Sequence, residues 1–286
     1  MKDTNKITVR KSQELFSFLE EQFPEYSHKK IKLLLAHHSV LVNKVITTQF
    51  NQELEKGQIV EIKDAKFYGK INDNRLVILM EDNDLIAVSK PAGLLSVSTE
   101  KEKNKTMFHI VSNYVKQANP NNKIFVVHRL DKDTSGVLVF AKNETAKHKL
   151  QDHWEELVKK RVYLAIVEGS VPTDKGTIKS YFKETETFRV YSTDDRVNGK
   201  LAITHYKKLK ETKDYTWLEV SLETGRKNQI RVHMQDMKTP IVGDKKYGST
   251  KDPLHRLGLH AHILELVHPK TNQLIKIVAP IPTILK

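Results

Sequence analysis

The chain contains no cysteine. That excludes disulfides, thiolate nucleophiles, iron–sulfur clusters and cysteine-bound zinc. No apolar run approaches the ~20 residues that a bilayer-crossing helix needs. The first residues, Met1-Lys2-Asp3-Thr4-Asn5-Lys6, lead straight into a charged segment without a signal-peptide apolar stretch, so a cytoplasmic protein is expected. A phosphate-cradling glycine-rich loop is also missing. Acidic residues are too few to balance the bases: 48 Lys and Arg stand against 35 Asp and Glu, a net charge of +13. A surplus of this size points to a polyanionic partner, either nucleic acid or an anionic membrane surface.

The 286 residues exceed one average domain, and 38% hydrophobic residues suffice for a core. Residues 1–66 read as a small unit. Ser12 is placed to cap a helix carrying Leu15, Phe16, Phe18, Leu19 and Phe23, which Pro24 stops. Ser27 opens a second helix through Ile31, Leu33, Leu34 and Leu35. Short strands follow at Val40–Asn43 and Gly57–Ile62. The second helix carries Lys29, Lys30 and Lys32, with His37 and His38 behind it. On periodicity alone these lysines are a solvated face. Residues 63–75 are a polar linker candidate. Up to residue 66 the net charge is +2, leaving +11 on the larger part.

From residue 76 strand-like runs dominate, as in Leu85–Val88, Val137–Phe140, Val162–Val167 and Thr216–Val220. Helices are expected near Thr106–Gln117, Glu144–Lys159 and Arg226–Met237. This pattern predicts an α+β domain on a large antiparallel or mixed sheet, residues 67–286, behind the small α+β unit.

Three segments carry chemistry. In His128-Arg129-Leu130-Asp131-Lys132-Asp133-Thr134-Ser135-Gly136, a loop between apolar strands holds Asp131 between Arg129 and Lys132. Neighbouring cations favour the ionised carboxylate, suiting a nucleophile or base. A lone loop aspartate is more often only a turn former. Asp131-x-Asp133 also resembles a fragment of a metal site, but no third ligand lies at a supporting spacing, so no metal is expected. In Gly225-Arg226-Lys227-Asn228-Gln229-Ile230-Arg231-Val232-His233, helical spacing puts Arg226, Gln229 and His233 on one face. Guanidinium groups near a helix start bind phosphate and carboxylate well, although a solvated basic turn would look the same. In the third segment, strand alternation puts Arg161, Tyr163 and Ala165 on one side. A tyrosine there is either core or a flat stacking surface with a polar tip.

Taken together, these segments resemble the RluA class of pseudouridine synthases. Residues 128–136 match its His-Arg-Leu-Asp-x-x-Thr-Ser-Gly loop, and Tyr163, Ala165 and Gly169 its Tyr-x-Ala strand. Gly225, Arg226, Gln229, Ile230, Arg231 and His233 match its third segment. Pro240, Ile241, Gly243, Asp244, Tyr247 and Gly248 follow in the family's order. The Lys90-Pro91-Ala92-Gly93 turn and the ending around Leu259-His260-Ala261 fit as well. Lys227-Asn228 depart from the usual Thr-His, and Ser89 from a common Asn. The pattern Ser27-x-x-x-Ile31-x-x-Leu34-Leu35, Val40-x-Val42-Asn43, Leu54-x-x-Gly57 resembles the S-four-type (alpha-L) RNA-binding module.

The resemblance implies an isomerase that converts uridine in RNA to pseudouridine without cofactor or metal. Asp131 would be the catalytic carboxylate, adding at C1′ or removing the 2′ proton. Arg231 would pair with it, and Tyr163 would stack on the flipped base and help move the C5 proton. Ile230 would pack on the base. Arg129, Arg226, Gln229 and the lysines 29, 30 and 32 would contact RNA. The RNA-binding module implies ribosomal RNA of the large subunit as substrate, with transfer RNA the alternative. A non-catalytic RNA-binding protein and a carboxylate glycosidase are further alternatives, the second leaving the charge of +13 unexplained. A monomer is the default expectation.

Overall fold

In the computed structural model, residues 5–36, 39–43, 45–47, 49–62, 73–100 and 102–286 are described. The chain divides into two compact units, Met1–Asn72 and Asp73–Lys286. The expected boundary after residue 66 lies outside the described residues, as do His37 and His38.

The first unit holds β1 (Asn5–Thr8), β2 (Gln13–Glu14), α1 (Leu15–Gln22), α2 (His28–Ala36), β3 (Val40–Val42), β4 (Val45–Thr47), β5 (Glu53–Leu54) and β6 (Ile59–Ile62). Strands β1, β6, β3 and β4 form an antiparallel sheet in that order. Its core packs Leu15, Phe18 and Leu19 of α1 and Ile31, Leu34 and Leu35 of α2 against Val40, Val42, Val60 and Ile62. Ser27 caps α2 as expected, accepting from Lys30 N at 3.2 Å. Ser12 does not cap α1. The helix begins at Leu15, and its first donors go to backbone instead: Leu15 N to Gln52 O at 2.8 Å and Phe16 N to Phe50 O at 3.0 Å. The turn leading into β5 has taken over the cap's task.

The second unit is built on one large mixed sheet. Its elements are β7 (Ile78–Glu81), β8 (Leu85–Lys90), α3 (Met107–Ala118), β9 (Phe125–Val126), β10 (Ser135–Ala141), α4 (Glu144–Asp152), α5 (Trp154–Leu157) and β11 (Val158–Glu168). There follow β12 (Lys175–Glu184), β13 (Val190–Thr193), β14 (Lys200–Glu211), β15 (Tyr215–Leu222), α6 (Gln229–Asp236), β16 (Leu259–Val267) and β17 (Leu274–Val278). The main order is β13-β12-β14-β15-β11-β16-β10-β8-β7, with β17 on β16 and β9 on β10. The β10–β16 pair is parallel and the other pairs antiparallel.

Strand β10 is buried throughout, because both of its faces are covered. Leu138 and Phe140 meet Met107, Ile110 and Val111 of α3. Val137 and Val139 pack in the opposite layer with Ala146 and Leu150 of α4. This explains why Val137–Phe140 reads as an unbroken apolar run rather than an alternation. Thr106 caps α3, accepting from His109 N at 3.1 Å, and Asn143 caps α4, accepting from Ala146 N at 2.8 Å.

The helix expected over 144–159 is shorter than its pattern. It breaks at His153, and Val158 already pairs with Leu266 in the sheet. The β-branched Val158 and Val162 fit the sheet better than another helical turn.

Candidate active site

The loop carrying Asp131 runs between β9 and the start of β10 and is pinned at several points. Ser96 Oγ donates to Leu130 O at 2.7 Å and accepts from Leu130 N at 3.0 Å. His128 Nε2 accepts from Val139 N at 2.9 Å, and its ring stacks on Trp154 at 4.9 Å. Burial, and then Arg161, push the His128 imidazole down to about 3, so it stays a neutral acceptor. Gly136 has φ +119°, and a Cβ there would sit 2.0 Å from Ala261 O. Only glycine allows β10 to close on β16 at that point.

Beneath the loop lies Lys90, fully buried. Its ammonium donates to Pro91 O (2.9 Å), Leu94 O (2.7 Å) and Lys132 O (2.9 Å), which uses all three protons. Burial pulls its pKa down to about 7, while Asp133 and Asp131 act in the other direction. The Lys-Pro-Ala-Gly turn therefore holds the backbone beside Asp131.

Tyr163 stands on β11 beside Ala261 of β16 and Val220 of β15, at a register irregularity. Burial first, then the field of Asp131, raises the phenol to about 12, partly opposed by Arg161. The hydroxyl is thus protonated at neutral pH.

Arg231, on α6, links two carboxylates. Nη1 lies 3.5 Å from Asp131 Oδ2. Nε and Nη2 bind Asp244 at 2.7 and 2.8 Å in a two-point pair. The Asp244 side chain is only 1% exposed and that of Arg231 12%. Burial opposes the charge on Arg231, but Asp244 more than offsets this and holds the guanidinium protonated more firmly than usual. Nη1 also donates to Asn228 Oδ1 at 3.1 Å, and Asn228 Nδ2 donates to the Tyr247 hydroxyl at 3.0 Å. The Tyr247 ring faces the guanidinium at 4.8 Å.

Asp131, Tyr163, Arg231, Arg129, Ile230, Arg226 and Gln229 thus line one cavity of about 530 Å³. Its size lies within the ~300–1,000 Å³ of small-molecule clefts. Lys30, in the first unit, lies over the Tyr26 ring at 3.3 Å, Lys32 is exposed, and the Lys29 side chain is outside the described residues.

Two expectations need correction. Gln229 is 3% exposed and its amide is fully used within the protein. Oε1 accepts from Thr224 Oγ1 (2.8 Å) and Arg226 N (2.9 Å), while Nε2 donates to Ile203 O and Thr204 Oγ1 (2.9 Å each). It shapes the turn and has no donor to spare for RNA. Arg226 does not share a helical face with Gln229 and His233 either. Asn228 takes φ 55°, and the helix begins only after it. Arg226 Nε donates to Leu201 O at 2.9 Å.

Four lining or supporting residues were not singled out as site residues from the sequence: Lys90, Asn228, Glu184 and Asp244. Asp244 had a usable signal, its place in the series Pro240, Ile241, Gly243, Asp244, Tyr247 and Gly248 that follows the family's order. Asn228 had none, because its role depends on a left-handed backbone and a tyrosine 19 residues away.

Among the described residues, Asp82, Asp84 and His268 come close enough to share a cation, with ligand atoms within 4.8 Å. Their hydrogen bonds argue against it. His268 Nδ1 accepts from Lys270 N and Thr271 N, so its other nitrogen carries the proton and donates to Asp82 Oδ2 at 3.1 Å. Asp84 accepts from Asn143. The cluster fixes a turn.

A large mixed sheet presenting a carboxylate–guanidinium pair and a tyrosine in the lining of one cleft, in a protein of charge +13, suits chemistry on a polyanionic substrate. A family profile described as RNA pseudouridylate synthase matches residues 84–236. The chain is 35% identical over 267 residues to the uncharacterized RNA pseudouridine synthase YhcT of Bacillus subtilis, covering 91% of this chain and 84% of the relative. It is 32% identical over 288 residues to the ribosomal large subunit pseudouridine synthase D of Haemophilus influenzae, covering 94% and 88%. The solved human RNA pseudouridylate synthase domain containing 4 shares the fold, with a TM-score of 0.61, 23% identity and coverage of 73% and 90%. The chain belongs to the RNA pseudouridine synthase family, in its RluA class, and is an isomerase of RNA.

Proposed function

We propose that this enzyme isomerises specific uridines of large-subunit ribosomal RNA, with Asp131 as the catalytic carboxylate. The observation that carries the assignment is the Asp131–Arg231 pair, 3.5 Å apart, at the wall of the cavity that Tyr163 and Ile230 also line. In the reaction the N1–C1′ bond breaks, the uracil turns, and C5 bonds to C1′. One proton leaves C5 and one is gained at N1, so no oxidant or reductant enters. Asp131 acts at the ribose, either by addition at C1′ or by removal of the 2′ proton.

Arg231, gripped by Asp244, aims the remaining Nη1 at Asp131. Ile230 and Tyr163 receive the extruded uracil, one by packing and one by stacking. The neutral phenol of Tyr163 takes part in proton transfer only if it passes its own proton on as it accepts the one from C5. Base extrusion costs a few kcal/mol, which stacking and contacts from exposed Arg129 offset. Residues 1–66 act as an S-four-type RNA-binding unit, with the lysines of α2 on phosphates. Ribosomal RNA as substrate is favoured by the name of the Haemophilus relative; with that substrate we take the enzyme to act in the cytoplasm, and as a single chain by default.

The test is carbodiimide mapping of pseudouridine in ribosomal and transfer RNA from cells with and without this gene. A signal lost from large-subunit RNA supports the reading. A signal lost only from transfer RNA replaces the substrate and leaves the chemistry, and no lost signal rejects the proposal.

A further inference from the structure

Phe188 stands out among the exposed apolar side chains. It is 70% exposed, and it lines the same cavity as Asp131, Tyr163 and Arg231. Val197, at 91% exposed, lies outside that cavity. Tyr163 and Phe188 are the two aromatic residues of the lining.

Phe188 sits in the turn between β12 and β13, which pair from Tyr181↔Thr193 to Glu184↔Val190. Its φ is 61°, a left-handed conformation that a bulky side chain rarely takes and that glycine or asparagine would adopt more easily. The turn is tied firmly. Phe188 N donates to Thr185 O (2.9 Å), Thr185 N to Arg189 O (2.8 Å), and Arg189 N to Thr185 Oγ1 (3.1 Å). The ring is therefore presented by an ordered hairpin.

Its surroundings are cationic. The Lys227 ammonium lies 5.4 Å from the ring centre while paired with Glu184. Lys246 reaches Phe188 O at 3.5 Å. Burial, then Arg231, Lys227 and Arg189, lower the Lys246 ammonium, and Asp131 acts in the other direction. An exposed ring amid cations at the mouth of a nucleotide-sized cleft fits a single-stranded polyanion with flat bases.

We infer that Phe188 is a stacking platform for the nucleobase next to the extruded uridine, with Lys227 and Lys246 on the adjoining phosphates. This rests on the proposed uridine isomerisation and adds a second base subsite to it. Stacking tolerates any base, so Phe188 contributes affinity and orientation rather than a base-specific code.

The test uses full-length enzyme and a synthetic RNA fragment carrying the uridine found by mapping. Phe188→Asn relaxes the turn, so folding is not at risk. It should raise KM about tenfold, the loss falling in KM rather than kcat. Phe188→Tyr should stay within roughly twofold of wild type, since the stacking face is kept. Val197→Asn should change nothing. An abasic residue at one of the two flanking positions should cost wild type about tenfold in KM and cost Phe188→Asn nothing further. A wild-type KM in Phe188→Asn, or losses that multiply instead of overlapping, would overturn the inference while leaving the isomerisation intact. A wild-type enzyme that forms no pseudouridine in any RNA would reject both.

Discussion

Asp244→Asn is the most informative perturbation of the site. Asparagine keeps the size of the side chain. It also keeps the acceptor that caps the 3₁₀ turn Lys245–Tyr247, where Asp244 accepts from Tyr247 N at 3.2 Å. What it removes is the charge that faces Nε and Nη2 of Arg231 at 2.7 and 2.8 Å. Half of the amide would then present N–H to N–H. The guanidinium, with its side chain only 12% exposed, would be left with Asp131 at 3.5 Å as its remaining carboxylate. Breaking one side of a buried pair costs about 3–5 kcal/mol. In a unit of 150–250 residues each kcal/mol moves Tm by about 2–4 °C. The transition of the larger unit should therefore fall by roughly 6–20 °C, read by differential scanning calorimetry. Below that transition kcat should fall, because Arg231 is free to rotate towards Asp131 and closes the space the ribose needs. Tritium release from RNA labelled at uridine C5 measures this. A variant with wild-type Tm and wild-type kcat would refute the claim that Asp244 holds Arg231 in place.

Three other outcomes follow from the geometry. Tyr163→Phe should bind RNA nearly as wild type, because the ring stays, and lose turnover; equal tritium-release rates would deny the hydroxyl a chemical role. Gly136→Ala brings a Cβ to 2.0 Å from Ala261 O at φ +119°, so β10 must part from β16; insoluble or strongly destabilised protein is expected, and normal thermal unfolding would contradict the packing. His233 and His260 are buried, and burial lowers both to about 4 from an ordinary value near 6.5. Between those values the unfolded chain binds protons that the folded one refuses. Stability is therefore lost as pH falls from about 6.5 towards 4, by roughly 2 kcal/mol per histidine at pH 5. Chemical denaturation at pH 7 and 5 measures the loss, and an unchanged midpoint would contradict neutral burial.

The strands were legible because apolar runs of five or six residues bounded by polar turns have few other uses, and β8, β10, β11 and β15 follow them. Strand β12 was harder: the first half of Lys175–Glu184 alternates exposed and half-buried residues, a pattern that a sheet near its edge shares with a loop. The failures at Ser12 and at Glu144–Lys159 have one cause, a distant segment competing for the backbone, and local pattern carries no information on it. The Asp131, Tyr163 and Arg231 constellation was visible only through the resemblance, since 100 residues separate the ion pair. Gln229 was misread because its buried network uses Thr204 and Ile203, whose proximity depends on the sheet. Asn228, a departure from the family pattern, proved to be built into the support of Arg231.

Asp131→Asn tests the central claim most directly. The variant should restore no pseudouridine when returned to cells lacking the gene, as mapped with carbodiimide, yet the purified protein should bind the same RNA with nearly wild-type affinity. Pseudouridine restored at the wild-type position by that variant would contradict the assignment of Asp131.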